Sequence, residues 1–265
     1  LNINDFIQKR IIQKTTHELK EKDTLISEDL LLAKSIQKKY IHSEVDEIDN
    51  LEIGIYFQPM IEIGGDLYDI YELKENYYRV FIADATGHGI QSALITMIVN
   101  SEYDKFKLLD IGPGELLEFF NDSFIDNYHH LNRFFSGMII DIDMKNEKIS
   151  FASAGHPSQI IITNNNVITF NSKGRLIGFL KDSKFEQITI SFPVNSKLLL
   201  FTDGVFEEYS EQKKLLNEDG FIKIVEKYKQ YPIASLIELI INDIRTLCGV
   251  NKFNDDVTVI GIQRT

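Results

Sequence analysis

Residues 81–89 read FIADATGHG. An apolar run closes on Asp84, and glycines at 87 and 89 flank His88. The pattern is that of a buried strand running into a tight turn, and it leaves two readings of the aspartate. Asp beside Gly at a strand end commonly makes an Asx-type turn. A carboxylate at the rim of a core is also costly unless it is paired or bound to a cation. A turn former needs no company, whereas a metal corner needs other carboxylates at other strand ends.

Such company exists. In LLLFTDGV an apolar run ends in Thr202-Asp203-Gly204, in NDDVTVIGI the pair Asp255 and Asp256 opens the last strand, and in EIGGDLYDIY two glycines precede Asp66. Between positions 41 and 73 there is no Lys or Arg, while Glu44, Asp46, Glu47, Asp49, Glu52, Glu62, Asp66, Asp69 and Glu72 all fall there. The first five read as a solvated acidic face. Asp66 has no local cation, and Mg²⁺ or Mn²⁺ would supply the missing charge through carboxylate, carbonyl and water oxygens. No CxxC, HExxH, P-loop or GxSxG competes with this constellation. Of the six histidines, His17 and His42 belong to an amino-terminal arm, His129 and His130 to a helix end, and His156 to SAGHP, where it fixes a loop or faces a site.

Around these motifs the hydrophobic period changes once. Residues 1–44 read as helix, with Ile12, Leu19, Ile26, Ala33 and Tyr40 at seven-residue intervals. The other heptad positions, Thr16, Asp23, Leu30 and Gln37, are mostly polar, so the arm reads as a helical linker or a short dimer seam. Ser27 and Asp29 are expected to cap a second helix opening near Leu30. From position 45 the period is two. Ten β-rich segments, from LEIGIYF to VTVIGI, alternate with turn chemistry such as ELKENYY, DMKNEK and ITNNNV. Helices are expected at 90–107, 114–128, 219–229 and 233–247. The strands come in hairpin-length neighbours, which predicts an α+β chain of antiparallel sheets covered by helices, with one domain at 45–265.

Composition sets the outer limits. With 265 residues, 43% of them apolar, the chain can bury a substantial core. A formal charge of −12 argues against a nucleic-acid partner. No run approaches the length needed to cross a bilayer, so this segment is expected to be cytoplasmic without membrane contact. It begins at Leu1 without a methionine and reads as a piece of a longer chain that could itself be anchored. The single cysteine, Cys248, excludes an internal disulfide and reads as packing.

GGDLYD, ADATGHGIQSAL, FASAGHPSQIII, LIGF, LLLFTDGVFEEYSE and NDDVTVI, in this order, resemble the SpoIIE/RsbU branch of the PPM (protein phosphatase 2C-like) serine/threonine phosphatases over about residues 48–263. AKSIQKKY looks like the helix that commonly precedes the domain. The resemblance implies two packed antiparallel β-sheets flanked by helices, and hydrolysis of phosphoserine or phosphothreonine with two Mn²⁺ or Mg²⁺ ions. Carried over position by position, it implies metal ligands at Asp66, at Asp84 bridging both ions, at the Ala85 carbonyl, at Asp203 and at Asp255, with Asp256 second to Asp255. Asp84, Asp66 and Asp203 are the implied catalytic set. Two features of the eukaryotic branch do not transfer. His88 stands too far behind Asp84 for that branch's general acid, and the upstream phosphate-binding Arg has no counterpart, so substrate binding is expected to rely on docking. The branch implies a phosphorylated STAS-domain substrate in bacterial partner switching, and a sensory module acting through the helical arm. The alternatives are a catalytically silent binding module of the same fold and a hydrolase of small phosphoesters or nucleotides.

Overall fold

The computed structural model describes residues 3–41, 48, 50–87, 89–209, 215–249 and 252–265. His42, Glu44, Asp46, Glu47, Asp49 and His88 lie outside the described residues. Two five-stranded antiparallel sheets face each other. One holds β1 (Leu51–Gln58), β10 (Val257–Arg264), β9 (Lys197–Phe201), β6 (Gln159–Thr163) and β7 (Asn166–Phe170), in that order. The other holds β2 (Asp66–Lys74), β3 (Tyr77–Ala85), β4 (Phe135–Asp143), β5 (Lys148–Ala154) and β8 (Ile188–Ser191). All ten expected strands form, in the two-layer arrangement the period-two reading implies. The hairpin turns place Asn76, Glu147, Asn164 and Asn165 at positive φ, a conformation asparagine tolerates better than most residues.

The alternation of each strand sorts its side chains into layers. Val80 and Ile82 of β3, Met138 and Ile140 of β4, Leu198 and Leu200 of β9, and Ile260 and Ile262 of β10 fill the space between the sheets. Phe81 and Ala83, one residue out of phase, face α2 (Ile90–Tyr103) and α3 (Pro113–Tyr128) on the outside of the second sheet. Leu199, Phe201 and Val259 pack against α4 (Asn217–Tyr228) and α5 (Ile233–Cys248) on the outside of the first. Cys248 is buried in that outer cluster, as a packing residue. The expected helix at 90–107 ends at Tyr103, and the residues after it form turns.

The arm is one helix, α1, Ile3–Ile41. The break expected near Leu30 is absent: the Ser27 hydroxyl donates to the Asp23 carbonyl at 2.7 Å, one turn back, and so is satisfied inside the helix instead of capping a new one. Ile12, Leu19 and Ile26 are exposed, and among the described residues the arm meets the sandwich at α2 and β2, with Lys34 and Gln37 of its last turns bonded to the loop before β2.

One buried ion pair ties the helical layer to the sheet. Arg79 of β3 is 1% exposed; its Nε and one terminal nitrogen each donate to Asp141 of β4 at 2.7 Å. The remaining donors reach the carbonyls of Lys107, Leu109 and Ile111 in the α2–α3 connection, at 2.9, 3.2 and 2.6 Å. Removing one partner strands a desolvated charge. Asp141→Ala is therefore expected to cost about 3–5 kcal/mol in urea unfolding, and a loss below about 1 kcal/mol, the scale of a surface pair, would show that the pair is not buried in solution.

Candidate metal centre

The alternation that fills the core also selects what stands at its end. Continuing the inward phase past Tyr68 in β2 and Ile82 in β3 leads to Asp66 and Asp84, which are directly paired across the two strands. The same phase leads from Met138 to Ser136 in β4, from Leu200 to Thr202 beyond β9, and from Ile260 to Thr258 and Asp256 at the head of β10. Asp203 opens a short 3₁₀ turn, Asp203–Val205. The hydrocarbon layer thus gives way to carboxylates and hydroxyls at one end of the sandwich. Close backbone approach there demands glycine: a Cβ on Gly64 would stand 2.8 Å from the Asp256 carboxylate, and one on Gly204 would stand 2.0 Å from the Asp256 carbonyl.

The carboxylates have different duties. Asp66 is 1% exposed, and its Oδ2 accepts from the hydroxyls of Thr202 at 2.7 Å and Thr258 at 2.6 Å. Asp256 accepts from the backbone amides of Met60 at 2.6 Å and Gly65 at 2.5 Å, one oxygen for each, which clamps the loop before β2. Asp255 accepts from the Asp256 amide at 2.8 Å. The Ala85 carbonyl lies 3.0 Å from the Cβ position of Gly65, at the same corner. The clamp duty of Asp256 leaves Asp255 as the better candidate ligand of the pair.

Burial pushes the Asp66 carboxyl up to about 8, with Asp256 and Asp203 adding to the shift and the two threonine hydroxyls opposing it. Asp84 is held well above the usual carboxylate range by burial and then by Asp66, Asp203, Asp255 and Asp256. Asp203 rises to about 6, through burial and then Glu207 and Asp255. The charges acting most strongly on Asp84 are all carboxylates. An all-oxygen donor set with excess negative charge fits a hard divalent cation, whose binding removes that repulsion. Among the described residues, no three His, Cys, Asp or Glu side chains close on a single point. The corner therefore has the charge and donor chemistry of a metal centre without a finished cage.

Beside it lies a cleft of about 400 Å³, lined among others by Asp84, Thr86, Ser136, His156, Leu176, Asp203, Glu207 and Glu218. His156 both faces this cleft and belongs to a tied loop. Its backbone amide donates to Ser153 at 3.2 Å, its carbonyl accepts from Asn171 at 2.9 Å, and its Nδ1 is 2.9 Å from the Ser136 hydroxyl. Sequence reading missed Ser136, Thr202, Thr258, Glu207 and Glu218. For the first three, the signal was present as strand phase.

A two-sheet sandwich with carboxylates at the ends of several strands is the architecture of the PPM, or protein phosphatase 2C-like, class. The chain belongs to the family described as Stage II sporulation protein E (SpoIIE), whose profile matches residues 74–265. It is 25% identical over 232 residues to the phosphoserine phosphatase RsbP of Bacillus subtilis (strain 168), a match covering 86% of this chain and 56% of RsbP. It is also 25% identical over 243 residues to the phosphoserine phosphatase RsbU of the same strain, covering 90% of this chain and 71% of RsbU. The chain thus spans little more than half of RsbP. In structure it resembles the SiaA-PP2C domain of Pseudomonas aeruginosa, with a TM-score of 0.78 at 19% identity, covering 92% of this chain and 98% of that domain.

The raised carboxyls predict a stability profile. A folded-state pKa near 8 for Asp66, against about 3.9 unfolded, means that its contribution is fully present below pH 4 and is lost as pH rises through 8. In EDTA the melting temperature should fall between pH 5 and pH 8, and Asp66→Asn should flatten that slope. Added Mn²⁺ or Mg²⁺ should raise the wild-type melting temperature most at pH 8. Equal slopes for wild type and Asp66→Asn would contradict the assignment.

Proposed function

We propose that this chain is a metal-dependent protein serine/threonine phosphatase, acting on a phosphorylated STAS-domain protein in bacterial partner switching. The observation that carries this reading is the buried, cation-poor carboxylate corner opening onto the cleft through Asp84. Asp66, Asp84, the Ala85 carbonyl, Asp203 and Asp255 would hold two Mn²⁺ or Mg²⁺ ions. When bound, these would lower the pKa of a water and neutralise the phosphoryl oxygens.

The side chains of this chain do the positioning. Thr202 and Thr258 fix the orientation of the Asp66 carboxylate, and Asp256 holds the loop that brings Gly65 and Asp66 to the corner. Among the described residues, the cleft lining contains Asp84, Asp203, Glu207 and Glu218 and no Lys or Arg. Without cations such a cleft repels a phosphate dianion, so the reading requires metal for substrate binding as well as for chemistry. It also makes docking by the protein substrate, away from the phosphate, the main source of affinity.

The arm suits control by an amino-terminal sensory module. Gln37 of α1 is 4% exposed; its amide nitrogen donates to the Gly64 carbonyl at 2.7 Å, and its oxygen accepts from the Gly64 amide at 3.2 Å. Thr96 of α2 donates to the same carbonyl at 3.2 Å, and Lys34 pairs with Glu62 at 2.6 Å. A shift of α1 therefore reaches the residues just before Asp66 without an intermediary. Exposed Ile12, Leu19 and Ile26 would suit a homodimer seam. No described helix is long and apolar enough to cross a membrane, in keeping with a cytoplasmic segment.

Asp84→Ala should abolish Mn²⁺-dependent hydrolysis of a phosphoserine protein, and retention of more than about a hundredth of wild-type kcat, the scale of losing one stabilising group, would count against the assignment. In the same Mn²⁺ titration, a panel of nucleotides should be turned over poorly, as should short phosphopeptides. Preference for nucleotides would favour a small-phosphoester hydrolase. Deleting residues 1–40 should change the rate, and an unchanged rate would remove the arm from its control.

A further inference from the structure

Ser136 and Asp84 are direct antiparallel partners on β4 and β3. Their side chains leave the same face of the sheet, with Cβ atoms about 4.5–5.5 Å apart, and both line the cleft. Beneath Ser136 sits the imidazole of His156, 2% exposed, with Nδ1 2.9 Å from the Ser136 hydroxyl. Burial pushes the His156 pKa down to about 3, so the ring is neutral and one nitrogen carries the only proton.

The surroundings decide which nitrogen that is. Nε2 is buried without a hydrogen-bond partner among the described residues, while the Phe201 backbone favours a protonated ring, as an accepting carbonyl does. With Nδ1 engaged by Ser136, the nitrogen left to carry the proton that this carbonyl favours is Nε2. Nδ1 is then the acceptor, and Ser136 is the donor. The loop holds the ring in place: Gly155 takes a φ of 67° and pairs with Gly137, next to Ser136, while Ser153 and Asn171 bind the His156 backbone.

A half-buried serine at a cleft needs no such partner. Burying a polar ring with an ill-satisfied nitrogen costs about 1–3 kcal/mol, and an apolar residue would fill the space at no such cost. What the arrangement achieves is orientation. With its proton committed to His156, the Ser136 oxygen shows the cleft only lone pairs, beside the carboxylate of Asp84. Two acceptors on directly paired residues of one sheet face can share one water, which donates a hydrogen to each and keeps its own lone pairs for phosphorus.

We propose that Ser136, aimed by His156, is a positioning residue that works with Asp84 to orient the water consumed in phosphoester hydrolysis. This role rests on the phosphatase reading. In the reaction the water oxygen forms the new bond to phosphorus as the bond from phosphorus to the seryl or threonyl oxygen breaks. One water proton ends on that leaving oxygen, giving the free hydroxyl and inorganic phosphate.

Two measurements on the full chain test this. Long-range ¹H–¹⁵N correlation spectra of histidine-labelled protein should show His156 as the Nε2–H tautomer, with an Nδ1 signal that shifts in Ser136→Ala. An Nδ1–H tautomer overturns the proposal whether or not the protein is an enzyme. In steady-state kinetics with Mn²⁺ and a phosphoserine protein, Ser136→Ala should lower kcat by about tenfold to a hundredfold, the cost of a misplaced reactant, with KM essentially unchanged. His156→Gln, which lacks an atom at Nδ1, should lose as much, and the double variant should lose no more than either single. His156→Asn, which restores a polar atom near Nδ1, should recover part of the loss. An active wild type with Ser136→Ala at full kcat, or with the loss in KM instead, sinks this role alone. A wild type with no hydrolysis sinks the phosphatase reading and this role together.

Discussion

Everything at the working end of this protein depends on the cost of placing carboxylates where a hydrocarbon layer stops. The sandwich core is built from strand positions of one phase, and extending that phase by one more inward position replaces Ile82 with Asp84, Tyr68 with Asp66 and Ile260 with Thr258. The strands deliver these groups on rigid backbone, and the same rigidity prevents the carboxylates from separating. Burial first, and then repulsion among the carboxylates, raises the affinity of Asp66 and Asp84 for protons. A site that holds protons because its carboxylates are buried and crowded without a compensating charge is one that a divalent cation can relieve.

The remaining structure supports or reads that corner. Asp256 spends its two oxygens on backbone amides, and so serves the loop that carries Gly65 and Asp66. Arg79 and Asp141 brace α2 and α3 against the sheet from the opposite end of β3. Gln37 and Thr96 meet at one carbonyl, that of Gly64, so the arm and α2 bear on the same residue before Asp66. The cleft itself is acidic, which makes its electrostatics conditional: it repels anions when bare and attracts them only when cations compensate the carboxylates.

Much of this was legible in sequence because strand periodicity and turn chemistry are local. All ten strands could be read from alternation and from Gly, Asn and Asp turns, and the candidate ligands from Asp at strand ends. What was not legible depends on tertiary contact. Ser27 looked like a cap because capping and back-bonding use the same hydroxyl, and only the helix decides between them. His156 looked like a loop residue because nothing near it in sequence announces Ser136, twenty positions away. Thr202 and Thr258 carry no motif of their own; their role appears only when two strands bring both hydroxyls to one oxygen of Asp66.

The central claim, that the strand-end carboxylates form a divalent-cation centre, is tested most directly by soaking crystals in Mn²⁺ and recording anomalous scattering at the manganese edge. The account predicts anomalous peaks at the corner bounded by Asp66, Asp84, Asp203 and Asp255, weakened or lost in Asp84→Asn. Ordered side chains at that corner with no anomalous density, at Mn²⁺ concentrations that saturate activity, would contradict it.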